Sequence, residues 1–244
     1  MNIKSLTKVF KKYRHADTIL IYNMGKVGSS TLVQAIPNAY QVHTLYNDLP
    51  PVNTRLKNMS CKRNLIFIFN RLFMRLAFFL RKDKIKIISV CRNPILRNRS
   101  MFFQDLELWL TKHNLEKGGA KSDYGLAPLI EAYQETFDHQ FYTDWFTKEL
   151  GRLTDFSTEQ LNLEKGWQIL QYKKYEILFV KLEELEKNKK ELEKFLGVEL
   201  LLNNQNVAEK KWYGDIYQEF KKLPIMECEE ELLKHELVKQ LGYQ

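Results

Sequence analysis

Apolar residues recur along this chain in short runs that predict strands, separated by longer segments with helical spacing. The predicted strands share continuous stretches of β-prone apolar residues and lie near residues 18–23, 40–44, 85–91 and 175–181. The predicted helices lie between and after them, at residues 29–36, 64–81, from Pro94 onward, across 103–150 and at 182–196. This alternation is typical of an α/β domain with a central parallel sheet.

The chain of 244 residues is predicted to form one domain in three layers, with helices covering both faces of the sheet. Helical insertions are predicted near residues 55–82 and 103–150. A Gly-rich stretch at 115–125 interrupts the second insertion, and a Pro-rich stretch at 47–53 is predicted to be a loop.

The composition indicates an ordinary globular protein, with 44% hydrophobic and 28% charged residues. A net charge of +8 favours anionic partners, among them nucleotides, sulfated or phosphorylated sugars and anionic membranes. The three cysteines are odd in number and widely spaced, which argues against a disulfide framework or a zinc site and favours a reducing cytoplasm.

The segment from Asn64 to Arg81 is very apolar, but Arg71 and Arg75 interrupt it well short of a membrane span. We interpret it as a buried or partly buried helix. The alternative is an interfacial helix, which leaves a peripheral membrane contact through this segment open.

The first predicted strand runs into the loop GKVGSST, which opens into a helix. Backbone N–H groups converge in such loops, at the positive end of the helix dipole, and bind phosphate. Lys26 stands between Gly25 and Gly28, whereas an ATP- or GTP-binding loop carries its lysine directly after the second glycine. The loop therefore predicts phosphate binding at a site that departs from the standard nucleotide pattern.

The strand at 85–91 is followed by Arg92, where a nucleotide hydrolase would carry an acidic ligand for magnesium. An arginine there predicts direct contact between protein and phosphate, with no metal ion. Arg92 begins the stretch RNPILRNRS, in which Ser100 follows about two helical turns later. Arg97 is predicted to share in phosphate binding, and Arg99 is expected at the surface or facing the substrate.

Together, GKVGSST and RNPILRNRS resemble the two phosphate-binding stretches of sulfotransferases that use 3′-phosphoadenosine 5′-phosphosulfate (PAPS). The stretches VHTL, DWFTKEL, ILFVKLEEL and NVAEKKWYGDIYQEFK are also similar to a bacterial family of capsular polysaccharide synthesis proteins that resemble carbohydrate sulfotransferases. The resemblance spans most of the chain and implies a P-loop nucleotide-binding-like fold. It implies transfer of a sulfuryl group from PAPS to a carbohydrate hydroxyl, in capsular or surface polysaccharide synthesis.

The resemblance also implies roles for individual residues. The loop residues that would bind the 5′-phosphosulfate are Gly25, Lys26, Val27, Gly28, Ser29, Ser30 and Thr31. Arg92 and Ser100 would bind the 3′-phosphate. Lys26 would also stabilise the oxygen that bridges phosphorus and sulfur as 3′-phosphoadenosine 5′-phosphate (PAP) leaves. Lys210 and Lys211 resemble C-terminal lysines that close over PAPS.

The acceptor hydroxyl needs a base, because an un-ionised alcohol is a poor nucleophile. His43, at the end of the second predicted strand, is the predicted base, and Asp105 and Glu107 are the alternatives. Two other functions stay open: a magnesium-dependent small-molecule kinase on the same fold, and a non-catalytic basic protein that binds nucleotides or other anions. The expected partner is a carbohydrate or another hydroxyl acceptor, and no nucleic acid is expected.

Overall fold

A computed structural model of the chain describes residues 3–46, 61–106, 109, 125–202 and 212–243. Its centre is a five-stranded sheet in the order β2-β1-β3-β5-β4. The strands are β1 Ile19–Tyr22, β2 Ala39–Val42, β3 Ile85–Cys91, β4 Trp167–Tyr172 and β5 Tyr175–Lys181. The strands β2, β1, β3 and β5 run parallel, and β4 pairs antiparallel with β5.

The α-helices of the described residues lie between these strands and after the last one. They are α1 Ile3–Arg14, α2 Ser29–Ala35, α3 Cys61–Leu80, α4 Pro94–Gln104, α5 Leu126–Thr136, α6 Phe141–Trp145, α7 Arg152–Thr154, α8 Lys189–Leu196, α9 Gly214–Lys221, α10 Glu227–Lys234 and α11 Glu236–Gln240. A π-helix, Phe146–Gly151, joins α6 to α7. The predicted loop at 47–53 and most of the predicted break at 115–125 lie outside the described residues.

The sheet centre consists of β3 and β5, which pair over their full length from Ile85↔Tyr175 to Cys91↔Lys181. Both strands are almost continuously apolar, as expected of parallel strands covered on both faces, and all but the second residue of each is buried. The predicted strands and the α/β class are therefore confirmed, with strand ends shifted by at most two residues.

The sequence pattern missed β4, and the sheet is consequently mixed instead of wholly parallel. This edge strand is only half-buried, so its alternation of apolar and polar residues is weak. It returns to β5 through a tight turn at Lys173 and Lys174, and Lys173 has a φ of 50°. Turns of this kind normally carry Asn or Gly at such a position, so the sequence contains no hairpin signal.

One predicted helix needs correction, because the segment 182–196 is divided into a 3₁₀ turn, Leu182–Glu184, and α8, which begins after Asn188. Helices also form where the sequence analysis made no prediction, in the basic N-terminal segment as α1 and in residues 214–240 as α9, α10 and α11. His235 separates α10 from α11 because its side chain accepts a hydrogen bond from the Leu237 N–H and so caps a new helix.

A second hydrophobic cluster joins α4 to α5 and the C-terminal helices, and it contains a buried ion pair. Arg99 donates from Nε and Nη2 to the Glu229 carboxylate, at 2.8 and 2.6 Å. Its guanidinium also donates to four backbone carbonyls between Phe220 and Pro224. The expectation that Arg99 lies at the surface or faces a substrate is wrong, because its side chain is 3% exposed and fully engaged.

The order of the strands places a topological switch point between β1 and β3, since the chain leaves β1 towards β2 and returns past it to β3. In sheets of this type, ligands bind at the carboxyl ends of the strands beside the switch point. The loops that follow β1 and β3 are the two stretches GKVGSST and RNPILRNRS.

We expect Glu229→Gln to destabilise the fold by about 3–5 kcal/mol, because it leaves the Arg99 guanidinium buried without its carboxylate. The measurement is the free energy of unfolding from urea titration. Asp144→Asn is the matched control: the Lys148–Asp144 pair has the same N–O distance of 2.6 Å, but its side chains are 45% and 33% exposed. That variant should lose less than about 1 kcal/mol. Equal losses of stability in the two variants would mean that burial does not determine how much the Arg99–Glu229 pair contributes to the free energy of unfolding.

Candidate active site

The loop between β1 and α2 has a backbone that few residues adopt. Lys26 has a φ of 71° and Gly28 a φ of 74°, both in the left-handed region. The backbone conformation of Gly28 favours glycine, and a Cβ there would stand 2.5 Å from Leu182 Cδ1, just after β5, so the leucine side chain would have to move. Val27 between them is fully buried and anchors the loop in the core.

Arg92 connects this loop to the end of β3. Its Nη1 donates a hydrogen bond of 2.9 Å to the Lys26 carbonyl oxygen. The Arg92 carbonyl in turn accepts a bond of 2.8 Å from Tyr142 Oη, and Asn93 caps α4 by accepting from the Leu96 N–H. The two predicted phosphate-binding stretches are thus in direct contact, and the Arg92 guanidinium remains half-buried.

Arg97 lies beneath the same loop, one turn into α4. Its Nε donates to the Gly25 carbonyl at 3.1 Å, and the guanidinium lies 4.6 Å from the centre of the Phe141 ring. Complete burial lowers the pKa of Arg97 to about 10, which still leaves the group charged at neutral pH. Arg97 is therefore not a surface charge but a buried cation under the loop.

Buried polar atoms beside the loop lack a hydrogen-bond partner within the described part of the chain. They are Arg97 Nη2 and both side-chain atoms of Asn23, the residue after β1. Unpaired buried polar atoms are costly and occur mainly where a ligand or water completes the site. Two of these atoms, Arg97 Nη2 and Asn23 Nδ2, are donors, and with Arg92 nearby they fit an anionic ligand, so the residues present are compatible with a phosphate group.

The hydroxyl groups predicted to bind phosphate have different surroundings. Ser30 is exposed and Thr31 is half-buried at the start of α2, whereas Ser29 is buried and accepts a hydrogen bond from Gln41 of β2. Ser100 is buried, 7% exposed, on α4. Because α2 has only seven residues, its dipole is small, and the charge of the site comes mainly from its basic side chains.

His43 follows β2 and lies against the end of β1. Its Nδ1 is 2.9 Å from the Asn23 carbonyl oxygen, which can only accept a hydrogen bond. Nδ1 therefore carries the hydrogen, and in the neutral ring the lone pair is on Nε2, where a proton can be accepted. His43 is exposed at the carboxyl edge of the sheet, and the Asn23 carbonyl that it contacts lies two positions before Gly25 of the loop after β1.

A buried carboxylate holds the loop that carries His43. Glu149, in the π-helix, is fully buried and accepts hydrogen bonds from Tyr22 Oη at 2.5 Å and from the Leu45 N–H at 2.6 Å. The Tyr46 N–H donates to both of its oxygens at 3.2 Å. Trp145 adds a bond of 2.7 Å from its indole N–H to the His43 carbonyl. The backbone from His43 to Tyr46 is thus fixed by side chains from α6 and the π-helix.

Burial shifts the pKa values of two ionisable side chains in this cluster, Glu149 and Arg71. Burial raises the pKa of Glu149, and its hydrogen bonds from Tyr22 and the two backbone N–H groups act in the opposite direction. Arg71 of α3, hydrogen-bonded to Thr44, interacts favourably with Glu149, while burial lowers the pKa of Arg71 to about 10. The apolar helix predicted at 64–81 therefore uses its first arginine as an internal counterion.

The rival bases lie elsewhere or outside the described residues. Asp105 is the C-cap of α4, and this helix of 11 residues spans about 16 Å, so Asp105 is remote from the strand end at Arg92. Glu107, Lys210 and Lys211 lie outside the described residues, and their predicted roles stay predictions.

The sequence interpretation missed the residues that position the site, namely Asn23, Glu149 and Trp145. The stretch DWFTKEL carries no local signal for Glu149, because Asp144 and Lys148 are charged as well and nothing nearby in sequence distinguishes the buried Glu149 from these more exposed neighbours. The partners of Glu149 come from β1, α3 and the backbone after β2, which are distant in sequence.

A family model described as "Sulfotransferase domain" matches residues 5–240, which is nearly the whole chain. The match confirms the P-loop-like α/β fold class. Comparison with curated proteins and comparison with solved structures each gave no match.

We expect Gly28→Ala to destabilise the protein more than Gly197→Ala. Both glycines have left-handed backbones, with φ of 74° and 78°, so both variants carry a strain of about 1–2 kcal/mol. Only Gly28 has a neighbour, Leu182, within contact distance of a new Cβ. The measurement is the free energy of unfolding in urea.

The Leu182→Ala background supplies the control for this comparison. There, Gly28→Ala should cost about as much as Gly197→Ala does, because the colliding methyl groups are gone. If Gly28→Ala and Gly197→Ala are equally destabilising in the wild-type background, the contact with Leu182 does not constrain the loop.

Proposed function

Because the chain belongs to the sulfotransferase-domain family, we propose that it transfers a sulfuryl group from PAPS to a hydroxyl of a carbohydrate acceptor. The observation that carries the proposal is the hydrogen bond from Arg92 to the Lys26 carbonyl, which joins the two phosphate-binding stretches at the switch point of the sheet. A role in capsular or surface polysaccharide synthesis and a cytoplasmic location are part of the same proposal.

The chain's own residues would bind the two phosphates of PAPS separately. The backbone N–H groups from Val27 to Ser30 and the hydroxyls of Ser30 and Thr31 would hold the 5′-phosphosulfate. Arg92 and Ser100 would hold the 3′-phosphate, and Lys210 and Lys211 would close over the nucleotide. The buried Arg97 supports the same side with a fixed positive charge that needs no reorganisation on binding.

Lys26 and His43 would perform the chemistry. His43 Nε2 would take the proton from the acceptor hydroxyl while the acceptor oxygen bonds to sulfur. Lys26 would stabilise the negative charge that develops on the 5′-phosphate oxygen as its bond to sulfur breaks. Glu149 and Trp145 would orient His43 by fixing its loop. Catalysis would then rest on positioning and fixed electrostatics, which are usually the largest contributions to such reactions.

The structure supports a kinase less well than it supports a sulfotransferase. A kinase on this fold needs an acidic ligand for magnesium at the neighbouring strand end. After β3 that position is Arg92, and its side chain is bonded to the loop of β1. Turnover of ATP with magnesium would nevertheless identify a kinase directly. A non-catalytic anion-binding protein would bind PAP and show no transfer with any acceptor.

We expect PAP to stabilise the protein in the presence of a metal chelator, because basic side chains and backbone N–H groups would contact both phosphates directly. At one hundred times its dissociation constant, a ligand adds about 2.7 kcal/mol to the free energy of unfolding. Thermal melting with PAP in chelator, and with ATP plus magnesium, measures this. Stabilisation by magnesium ATP alone would contradict the proposal.

The Arg92→Ala variant tests the assignment of the 3′-phosphate in the same titrations. The substitution should weaken the free energy of PAP binding by about 1.5–3 kcal/mol. It should weaken binding of the analogue without a 3′-phosphate much less. Loss of the bond to Lys26 would affect both ligands alike, so the difference between them reports the 3′-phosphate. Arg14→Ala, which removes an exposed positive charge from α1, is the control and should affect neither ligand.

We expect His43→Ala to slow transfer by a factor on the order of 10² to 10⁴ and to leave PAP affinity nearly unchanged, because a base acts only on the acceptor proton. Lys26→Ala should reduce kcat more than PAP affinity, since its main contact forms in the transition state. The assay is transfer from labelled PAPS to an acceptor found by screening glycans. An active His43→Ala enzyme would exclude His43 as the base and leave Glu107 as the predicted alternative, since Asp105 lies at the far end of α4.

A further inference from the structure

One helix carries half of the exposed large apolar side chains found among the described residues. Ten such side chains are exposed, and five of them lie on α3, with Phe79 77% exposed. We call the surface that they form the α3 face, and its members are Ile68, Leu72, Leu76, Phe79 and Leu80. The other five are scattered between Ile169 and Ile225, and only Ile169 lies in a helix or strand.

The α3 face is a continuous stripe. Ile68, Leu72, Leu76 and Phe79 follow one another at intervals of four, four and three residues, so they share one side of the helix. The opposite side, with Arg71 and Phe78, is buried in the protein. The helix end is firmly held, because Lys174 Nζ donates to the carbonyls of Phe78, Phe79 and Arg81. The apolar stripe is therefore a fixed outward surface of a packed helix.

Positive charge is concentrated on the same helix and its neighbour. The α1 helix packs against α3, with the rings of Tyr13 and Phe78 in edge contact at 5.6 Å. Together, α1 and α3 contain nine of the 38 basic residues of the chain and none of its 30 acidic residues. The rest of the chain has 29 basic and 30 acidic residues, a net charge of −1. The whole positive excess thus belongs to the helix pair that carries the α3 face.

We propose that the α3 face, together with Lys11 and Arg14, the exposed basic residues of α1, docks the protein on an anionic lipid bilayer. A helix with an apolar outward side and flanking lysines and arginines lies in the plane of the bilayer, its apolar side among the acyl chains. Anionic headgroups attract the flanking basic residues. Within the described residues, no helix has the length and hydrophobicity needed to cross a membrane, so the mode of contact is peripheral.

Charge favours a bilayer over a second copy of the chain. A symmetric dimer through the α3 face would place two helix pairs, each rich in positive charge and free of acidic residues, against each other. Such an arrangement brings like charges together, whereas an anionic membrane neutralises them. The proposal is independent of the transfer reaction, because no residue of the α3 face belongs to the candidate active site.

The test is sedimentation of the purified chain with vesicles of phosphatidylcholine alone, or of equal parts of phosphatidylcholine and phosphatidylglycerol. The wild type should bind the anionic vesicles, bind the neutral ones weakly, and be released by salt. Phe79→Glu should reduce the partition coefficient roughly tenfold or more, since it puts a charge into the acyl region. Reversing the exposed charges Lys11 and Arg14 should reduce it roughly fivefold or more for each charge.

Leu201→Glu is the matched control, because Leu201 is 83% exposed but lies outside the α3 face. It should bind vesicles like the wild type, and thermal melting should show that all the variants fold. Equal binding of wild type and Phe79→Glu, or no preference for anionic vesicles, would overturn the proposal. So would a dimer, measured by light scattering, that Phe79→Glu converts to a monomer, since the face would then be an interface between copies.

Discussion

Two arginines on the β3 side of the switch point hold the backbone of the loop on the β1 side. Arg92 donates a hydrogen bond to the Lys26 carbonyl, and Arg97 donates one to the Gly25 carbonyl. These two carbonyl groups therefore point towards the guanidinium groups. In a trans peptide group the N–H points away from the carbonyl, so the N–H groups of Lys26 and Val27 point away from the two arginines. The left-handed backbones of Lys26 and Gly28 are compatible with this arrangement and curve the loop. The two arginines that would attract an anion at this site thus also serve as structural hydrogen-bond donors to the loop.

The loop that carries His43 is held by a buried carboxylate, whereas the loop after β1 is held by cations. Glu149 accepts bonds from Tyr22 and from the backbone after β2, and it lies near the buried Arg71. A charge without water is stable only when it is fully hydrogen-bonded, so the cluster specifies one arrangement of β1, the loop after β2, α3 and the π-helix. The same α3 that supplies Arg71 presents its opposite side to the outside. One helix therefore links the interior of the site to the proposed membrane surface.

Positive charge has two separate functions in this molecule. Arg97 and Arg99 are almost fully buried and each has defined partners, the first at the phosphate loop and the second at Glu229. Lys11 and Arg14 of α1 are instead exposed and belong to the surface that we propose contacts a membrane. Sequence alone does not distinguish these uses, because RNPILRNRS presents three arginines within eight residues and burial depends on which side of α4 packs against the protein.

Local patterns determined the strands β1, β2, β3 and β5, the α/β class and the two stretches that meet at the switch point. Continuous apolar runs and glycines act through neighbouring residues, so their consequences can be predicted without knowing the fold. Contacts between distant residues decided the rest. The edge strand β4 depends on pairing with β5, the burial of Arg99 depends on Glu229, 130 positions away, and the anchoring of the His43 loop depends on Glu149. These features arise from desolvation and hydrogen bonding between segments that only the tertiary structure brings together.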